Sequence, residues 1–373
     1  MIFIKISKSK KYIFLGLMII LFGIGISYCN NKKSISVFGS NGENPSLERE
    51  MQEIFDIRNN AILKEDIKVL DNIYNKESVG GLRAYDHEID RIKYLNQWMN
   101  KQASSFSKIE SKVFLRTVKE KADGYSVNLA ITTEYEYEYN DSTTPSNSFI
   151  ICTYHSLDLI PNKTSWIIDR EWYSDPFVNA SDVEKMDSEE IRETILSGVK
   201  KDISNLNEGR LGAVDYAIEY SGVARAPDYN FQYNSKYKNY NNLGGNCTNF
   251  ASQTLFEGGG FSKTSLWNYS NGEGSRAWVN ASEFNNYMLY SGRASLILKG
   301  TYEEVLKETY NLLPGDYIAF EKKGKVAHTG IVTGIASKGY ALVNTHNPDI
   351  HKRPWDLGWS GEGIKFWLVR VNY

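Results

Sequence analysis

The 373-residue chain changes its hydrophobic period several times. Lys5, Lys8, Lys10 and Lys11 precede an uncharged, mostly apolar run from Tyr12 to Tyr28. A basic start before such a run predicts an export signal or membrane anchor over residues 1–29, with the lysines held in the cytoplasm and the body of the chain outside. The run is at the lower edge of the roughly 17–25 residues that span a bilayer, so its length fits both a cleaved signal and a retained helix. Gly25 and Ser27 supply a small-x-small cleavage site, while Tyr28 stands before Cys29 where lipidation signals take a small residue. Residues 30–46 are polar and without period, which predicts a tether. From Leu47 to about Tyr74, Met51, Ile54, Phe55, Ile62 and Leu63 fall near one helical face, and a second helix is predicted around Asp86 to Met99. Strand patterns follow at Val113–Val118, Gly124–Tyr139, Ser148–Leu159 and Ser165–Trp172. Within the second of these, Tyr135, Tyr137 and Tyr139 take one face and Glu134, Glu136 and Glu138 the other, which reads as a solvated face and not as an acid/base pair.

Two helices followed by long strands resemble the cone-shaped α+β fold of nuclear-transport-factor-like domains. That resemblance lies in element order and implies a spacer or binding module over residues 47–178. A boundary falls near Pro176 to Ala180, after which Ser181 with Glu184 and Asp187 with Glu190 are spaced as capping boxes ahead of Ile191, Ile195 and Val199. Residues 179–207 are therefore expected to form a helical connector, and 208–373 a second domain. Because this unit begins with its own capped helix, its chemistry is expected to survive removal of everything before Asn179.

Formal charge is -2, from 43 basic and 45 acidic residues, which gives no global field for nucleic acid or an acidic membrane surface. Partners must be chosen by local sites. If Cys29 belongs to the leader, Cys152 and Cys247 remain in the exported body, where the exterior permits a bridge. Cys152 reads as a small buried hydrophobe on a strand.

Cys247 differs in context. It lies in Gly244-Gly245-Asn246-Cys247-Thr248-Asn249-Phe250-Ala251-Ser252-Gln253, with apolar residues recurring at helical spacing after it and Gly258-Gly259-Gly260 closing the helix. A cysteine at a helix N-terminus meets unpaired N–H groups and the positive end of the dipole, which lower a thiol below its free value of about 8.5. A thiolate nucleophile also needs an acid/base partner. His87 and His155 lie in the first domain without a visible partner, and His351 sits near Pro and Trp as a surface residue. His328 lies near the start of the strand Val326–Val332, which follows Pro314-Gly315-Asp316 and another strand. On the next strand, Tyr340, Leu342, Asn344 and His346 share a face, so Asn344 and His346 are both placed to orient the imidazole. No cysteine pair, helical histidine pair or dense carboxylate cluster has the spacing of a metal site, and no cofactor motif is present. Tyr229, Tyr233, Tyr237, Tyr240, Trp267, Tyr269, Trp355 and Trp359 read mostly as packing, with a minority available to a substrate groove.

With these residues assembled, the region from about Glu208 to Tyr373 resembles the putative amidase domain family of Gram-positive bacteria, among the papain-like cell-wall hydrolases. Arg210 with Ala213-Val214 and Tyr216-Ala217 resembles its opening helix, Asn246 to Gln253 its nucleophile motif, Trp278 its middle segment, and Pro314-Gly315-Asp316 with His328 its core hairpin. Asn246 stands where the family usually has Asp, which removes a charge beside the nucleophile. The resemblance implies an α+β, papain-like hydrolase domain behind the cone-like α+β domain. It also implies an exported or cell-surface cysteine amidase with Cys247, His328 and His346 as catalytic triad, acting on peptide amides in peptidoglycan. A non-catalytic binding module and an acyl-transferring transpeptidase are the competing readings; cofactor, metal and nucleic acid have no place in any of them.

Overall fold

A computed structural model describes residues 45–141, 144–163, 165–177, 188–225 and 230–373. The leader, most of the tether and the spacings at Ser181 and Asp187 lie outside these residues. Helix α1 (Pro45–Lys64) buries Met51, Ile54, Phe55 and Ile62, continues through a 3-10 turn at Ile67–Asn72, and is followed by α2 (Val79–Lys101). The Ser78 side chain caps α2 by accepting from Gly81 N at 2.9 Å. Four antiparallel strands come next: β1 (Ser104–Lys121), β2 (Gly124–Tyr139), β3 (Asn147–Asn162) and β4 (Ser165–Tyr173). Tyr135, Tyr137 and Tyr139 are buried against the helices, while Glu134, Glu136 and Glu138 line the wetter face. Cys152 is fully buried on β3, and it and Cys247 are both free thiols.

The connector holds a short helix, α3 (Glu189–Leu196), capped by Ser188, with Ile191 and Ile195 buried and Val199 outside it and exposed. The C-terminal region adds α4 (Glu208–Glu219), α5 (Cys247–Gln253), α6 (Arg276–Val279), α7 (Ala281–Tyr290), β5 (Ala294–Gly300) and α8 (Tyr302–Thr309). Strands β6 (Tyr317–Lys322), β7 (Lys325–Ile335), β8 (Ala341–Thr345), β9 (Asp349–Pro354) and β10 (Ile364–Val371) complete it. Asp316 locks the hairpin to the opening helix: it accepts from Arg210 Nη1 at 2.8 Å, Leu313 N at 2.9 Å and Val371 N at 3.1 Å. The Arg210 and Pro-Gly-Asp pattern thus serves packing.

These ten strands join in one sheet, ordered β1-β2-β3-β9-β8-β7-β6-β10-β5, with β4 on the remaining part of β3, while four short strands form two separate hairpins. Strand β4 covers β3 only from His155 onward, so the edge before it is open, and Asp349, Ile350 and His351 of β9 pair there with Cys152, Ile151 and Ile150. An open edge inside a fold must be paired or covered. One continuous core runs from Leu95 and Trp98 of α2 to Ile318, Phe320, Val332 and Trp355 of the C-terminal region. Both the sheet and the core therefore cross the boundary expected near residue 178. His351, expected at the surface, is half-buried on β9 with its Nδ1 3.2 Å from Asn344 Nδ2. A second core, with Phe250, Trp267, Trp278, Tyr317 and Ile331, fills the other face of the C-terminal sheet beneath α5.

Candidate active site

Helix α5 begins at Cys247, and its first helical bond runs from Phe250 N to Asn246 O at 2.9 Å. The polar residues of the surrounding motif fix it in place. Asn249 Oδ1 accepts from Trp278 Nε1 at 2.9 Å, Ser252 Oγ accepts from Trp267 Nε1 at 2.9 Å, and Gln253 Oε1 accepts from the Tyr216 hydroxyl at 2.9 Å. Gly244 and Gly245 precede the helix at φ +112° and +119°, values that favour glycine, and a side chain at Gly244 would meet open space. Backbone without side chains therefore leads into Asn246 and Cys247, and Asn246 N donates to the Asn347 side chain.

Cys247 is only 8% exposed. Its Sγ lies 3.7 Å from Thr248 Oγ1 and is within hydrogen-bonding reach of the Thr329 backbone N–H. The buried Thr329 hydroxyl also favours the thiolate. Burial outweighs these donors and pushes the thiol above its ordinary value. Burial thus opposes the lowering expected from the helix terminus.

His328, one residue before Thr329 on β7, places its Nε2 3.1 Å from Thr345 Oγ1 and stacks its ring on Trp359 with centroids 5.3 Å apart. The Thr345 hydroxyl donates to the Thr329 carbonyl at 2.8 Å, so toward the imidazole it acts as acceptor. That assigns the proton of neutral His328 to Nε2 and leaves Nδ1 with a lone pair. Burial and the field of Arg353 depress this imidazole to about 3, keeping it neutral.

His346 is placed differently from its expected role. Its Nε2 is 2.7 Å from the Tyr220 carbonyl, to which it must donate, and its Nδ1 accepts from Asn246 Nδ2 at 2.8 Å. Asn246 Oδ1 is occupied by Asn249 Nδ2 at 2.8 Å and Tyr240 N at 3.2 Å, which sets the amide orientation. The His346 ring stacks on Phe250 with centroids 4.3 Å apart, and burial lowers it to about 4. Both of its nitrogens are thus engaged, and it buttresses the start of α5 while Thr345 holds His328. Asn344, the other candidate, accepts from Thr333 Oγ1 at 2.6 Å and donates to Ala217 O at 3.1 Å.

The structure brings Cys247 against Thr329 and His346 against Asn246; neither imidazole is hydrogen-bonded to the sulfur among the described residues. Sequence reasoning missed Thr345 because it searched the face of β8 that carries Asn344 and His346, and Thr345 alternates to the other. It also missed a buried network in the first domain, where His155 Nδ1 is 2.6 Å from Glu171 and Arg58 bridges Glu171 and Glu88. Trp267 and Trp355 are fully buried, as their packing role requires. Among the described residues, no three His, Cys, Asp or Glu side chains are placed to hold a metal ion, and no helix is long and apolar enough to cross a membrane.

Comparison with known proteins places these residues in context. Residues 207–369 match the model of the family described as putative amidase domain. The uncharacterized protein YhbB of Bacillus subtilis (strain 168) is 26% identical over 306 residues, covering 75% of this chain and 82% of that one. A match of that extent reaches well beyond residues 207–369 into the preceding region. Among solved structures, the intermembrane space region of the chloroplast protein ARC6 aligns with 36% of this chain and 98% of its own at 11% identity and a TM-score of 0.25. The Kfla4162 protein of Kribbella flavida aligns with 35% and 90% at 8% identity and a TM-score of 0.24.

Proposed function

We propose, from the premise that residues 207–369 form a domain of the putative amidase family, that this chain is a cysteine hydrolase. It would act at the cell surface on peptide amide bonds of peptidoglycan. The observation that carries the reading is the hydrogen-bonding state of His328. Thr345 pins its proton on Nε2 and leaves Nδ1 as the free base, one residue from Thr329, whose backbone N–H favours the Cys247 thiolate.

In this mechanism the resting pair is neutral, since burial raises the thiol and lowers the imidazole. Cys247 Sγ attacks the carbonyl carbon as His328 Nδ1 takes the thiol proton, so proton transfer accompanies attack. First-turn amides of α5, which lack helical carbonyl partners, donate to the developing oxyanion. The imidazolium passes its proton to the departing amine, the C–N bond breaks, and a thioester remains. Water, deprotonated by the same nitrogen, then releases the carboxylate product and restores the thiol. The cell-surface assignment rests on the lysine cluster and apolar run of residues 5–28.

The test is to incubate the purified body with muropeptides and follow fragments by mass spectrometry beside Cys247→Ala. New carboxylate and amine ends from the wild type alone are expected. Binding without cleavage by both proteins would favour the binding module, and amine-capped products without free carboxylates would favour acyl transfer.

A further inference from the structure

We propose that Arg353 holds a small monovalent anion in the seam between β9, the following loop and α2. Arg353 is 1% exposed, and its Nε and Nη2 have no hydrogen-bond partner among the described residues. Those two donors form one edge of the guanidinium, the edge that grips carboxylates and other anions in parallel. A buried charge without a partner is among the costliest groups a fold can carry, and buried polar groups of this kind are satisfied by protein, water or an ion.

The surrounding charges leave Arg353 unmatched. Asp356 is the carboxylate whose field reaches it, yet Asp356 is already committed. Its Oδ2 pairs with Lys101 and accepts from Trp98 Nε1 at 2.9 Å, and its Oδ1 accepts from the Tyr340 hydroxyl at 2.8 Å. Lys101 and Asp356 cancel, which leaves the Arg353 charge without a counter-ion among the described residues. The Tyr94 hydroxyl, whose field reaches Arg353, is itself engaged by the buried Ser360 hydroxyl and by Gly358 N, so neither oxygen is committed to the guanidinium. Nε and Nη2, parallel on one edge of the guanidinium, match the acceptor geometry of a carboxylate or a single chloride.

The anion would also act on the candidate active site, because Arg353 and His328 interact through space and Trp359, in the same loop, stacks on His328. Filling the site would cancel the field that disfavours the imidazolium.

The experiment is thermal unfolding of the full exported body in chloride, bromide or formate against gluconate at fixed ionic strength, for the wild type and Arg353→Met. A saturable rise in Tm of a few degrees is expected for the wild type, with no anion response in Arg353→Met. Response to chloride and bromide alone identifies a halide site, and response to formate as well identifies an oxyanion site. An equal response in both proteins, or none in the wild type, overturns the proposal. Should Arg353→Met fail to fold, anomalous diffraction from bromide-soaked wild-type crystals decides: a peak at the Nε and Nη2 edge supports it, and its absence overturns it.

Discussion

Lys101, the last residue of α2, is buried in an ion pair with Asp356 of the loop after β9, so a charge from the N-terminal region completes the C-terminal one. The same carboxylate takes Trp98 and Tyr340, and the Tyr94 hydroxyl accepts from Gly358 N at 2.7 Å. The loop these contacts hold carries Trp359 to the His328 ring. Replacing Lys101 with Met strands a buried carboxylate and is expected to cost about 3–5 kcal/mol in urea unfolding. Adding Asp356→Leu should recover part of that loss. Additive costs would show that the pair is not coupled.

Truncation tests the seam from the other side. Removing residues before 179 strips β3 from β9 and uncovers the Asp349–His351 edge together with Ile350, which is fully buried. An exposed apolar edge favours aggregation. The isolated C-terminal region is expected to aggregate or to unfold without a cooperative transition, as read by scattering and circular dichroism. A soluble, cooperative and active fragment would show that the shared sheet is dispensable.

Thr345 and His346 divide the support of the site in a way kinetics can separate. Thr345→Val removes the acceptor that fixes the His328 tautomer and is expected to lower kcat by roughly 10- to 100-fold while leaving Tm nearly unchanged. His346→Gln loses bonds to Tyr220 and Asn246 in the buried start of α5 and should lower Tm more than it lowers kcat per folded molecule. The reverse pattern would return the orienting role to His346.

Several histidines are buried in neutral form, which fixes the sign of the acid response. His328, His346 and His351 are lowered to about 3, 4 and 4 from an ordinary 6.5, so below pH 6.5 the unfolded chain binds more protons than the fold. Stability from these groups is complete above that value and is lost as pH falls toward 4. Asp349, raised to about 7 by burial, works in the opposite direction: it binds its proton in the fold and loses that contribution as pH rises through 7. The histidines outnumber it. Tm is therefore expected to fall between pH 6.5 and 4, and more steeply in Asp349→Asn; a flat profile over that range would mean the imidazoles are solvated.

Much of the architecture was legible because period is a local property. The Tyr and Glu alternation from Glu134 to Tyr139 marked both faces of β2, and glycines on either side of the Cys247 segment marked the ends of a helix. The seam left no such trace. Nothing in the sequence around Lys101 or Asp356 marks them as a pair, and Asp349–His351 carries no pattern announcing that its partner lies some 200 residues earlier on β3. The Cys247 thiol was legible only in part for a related reason. A helix start is visible in sequence, whereas the burial that opposes it depends on the packing of α5 against β7.

Rapid acid quenching of the protein during turnover of muropeptides, followed by peptide mapping, tests the central claim most directly. An acyl group in thioester linkage on the peptide containing Cys247 is predicted, absent from Cys247→Ala and removed by hydroxylamine. Turnover retained in Cys247→Ala, or an acyl group found on another residue, would contradict the account.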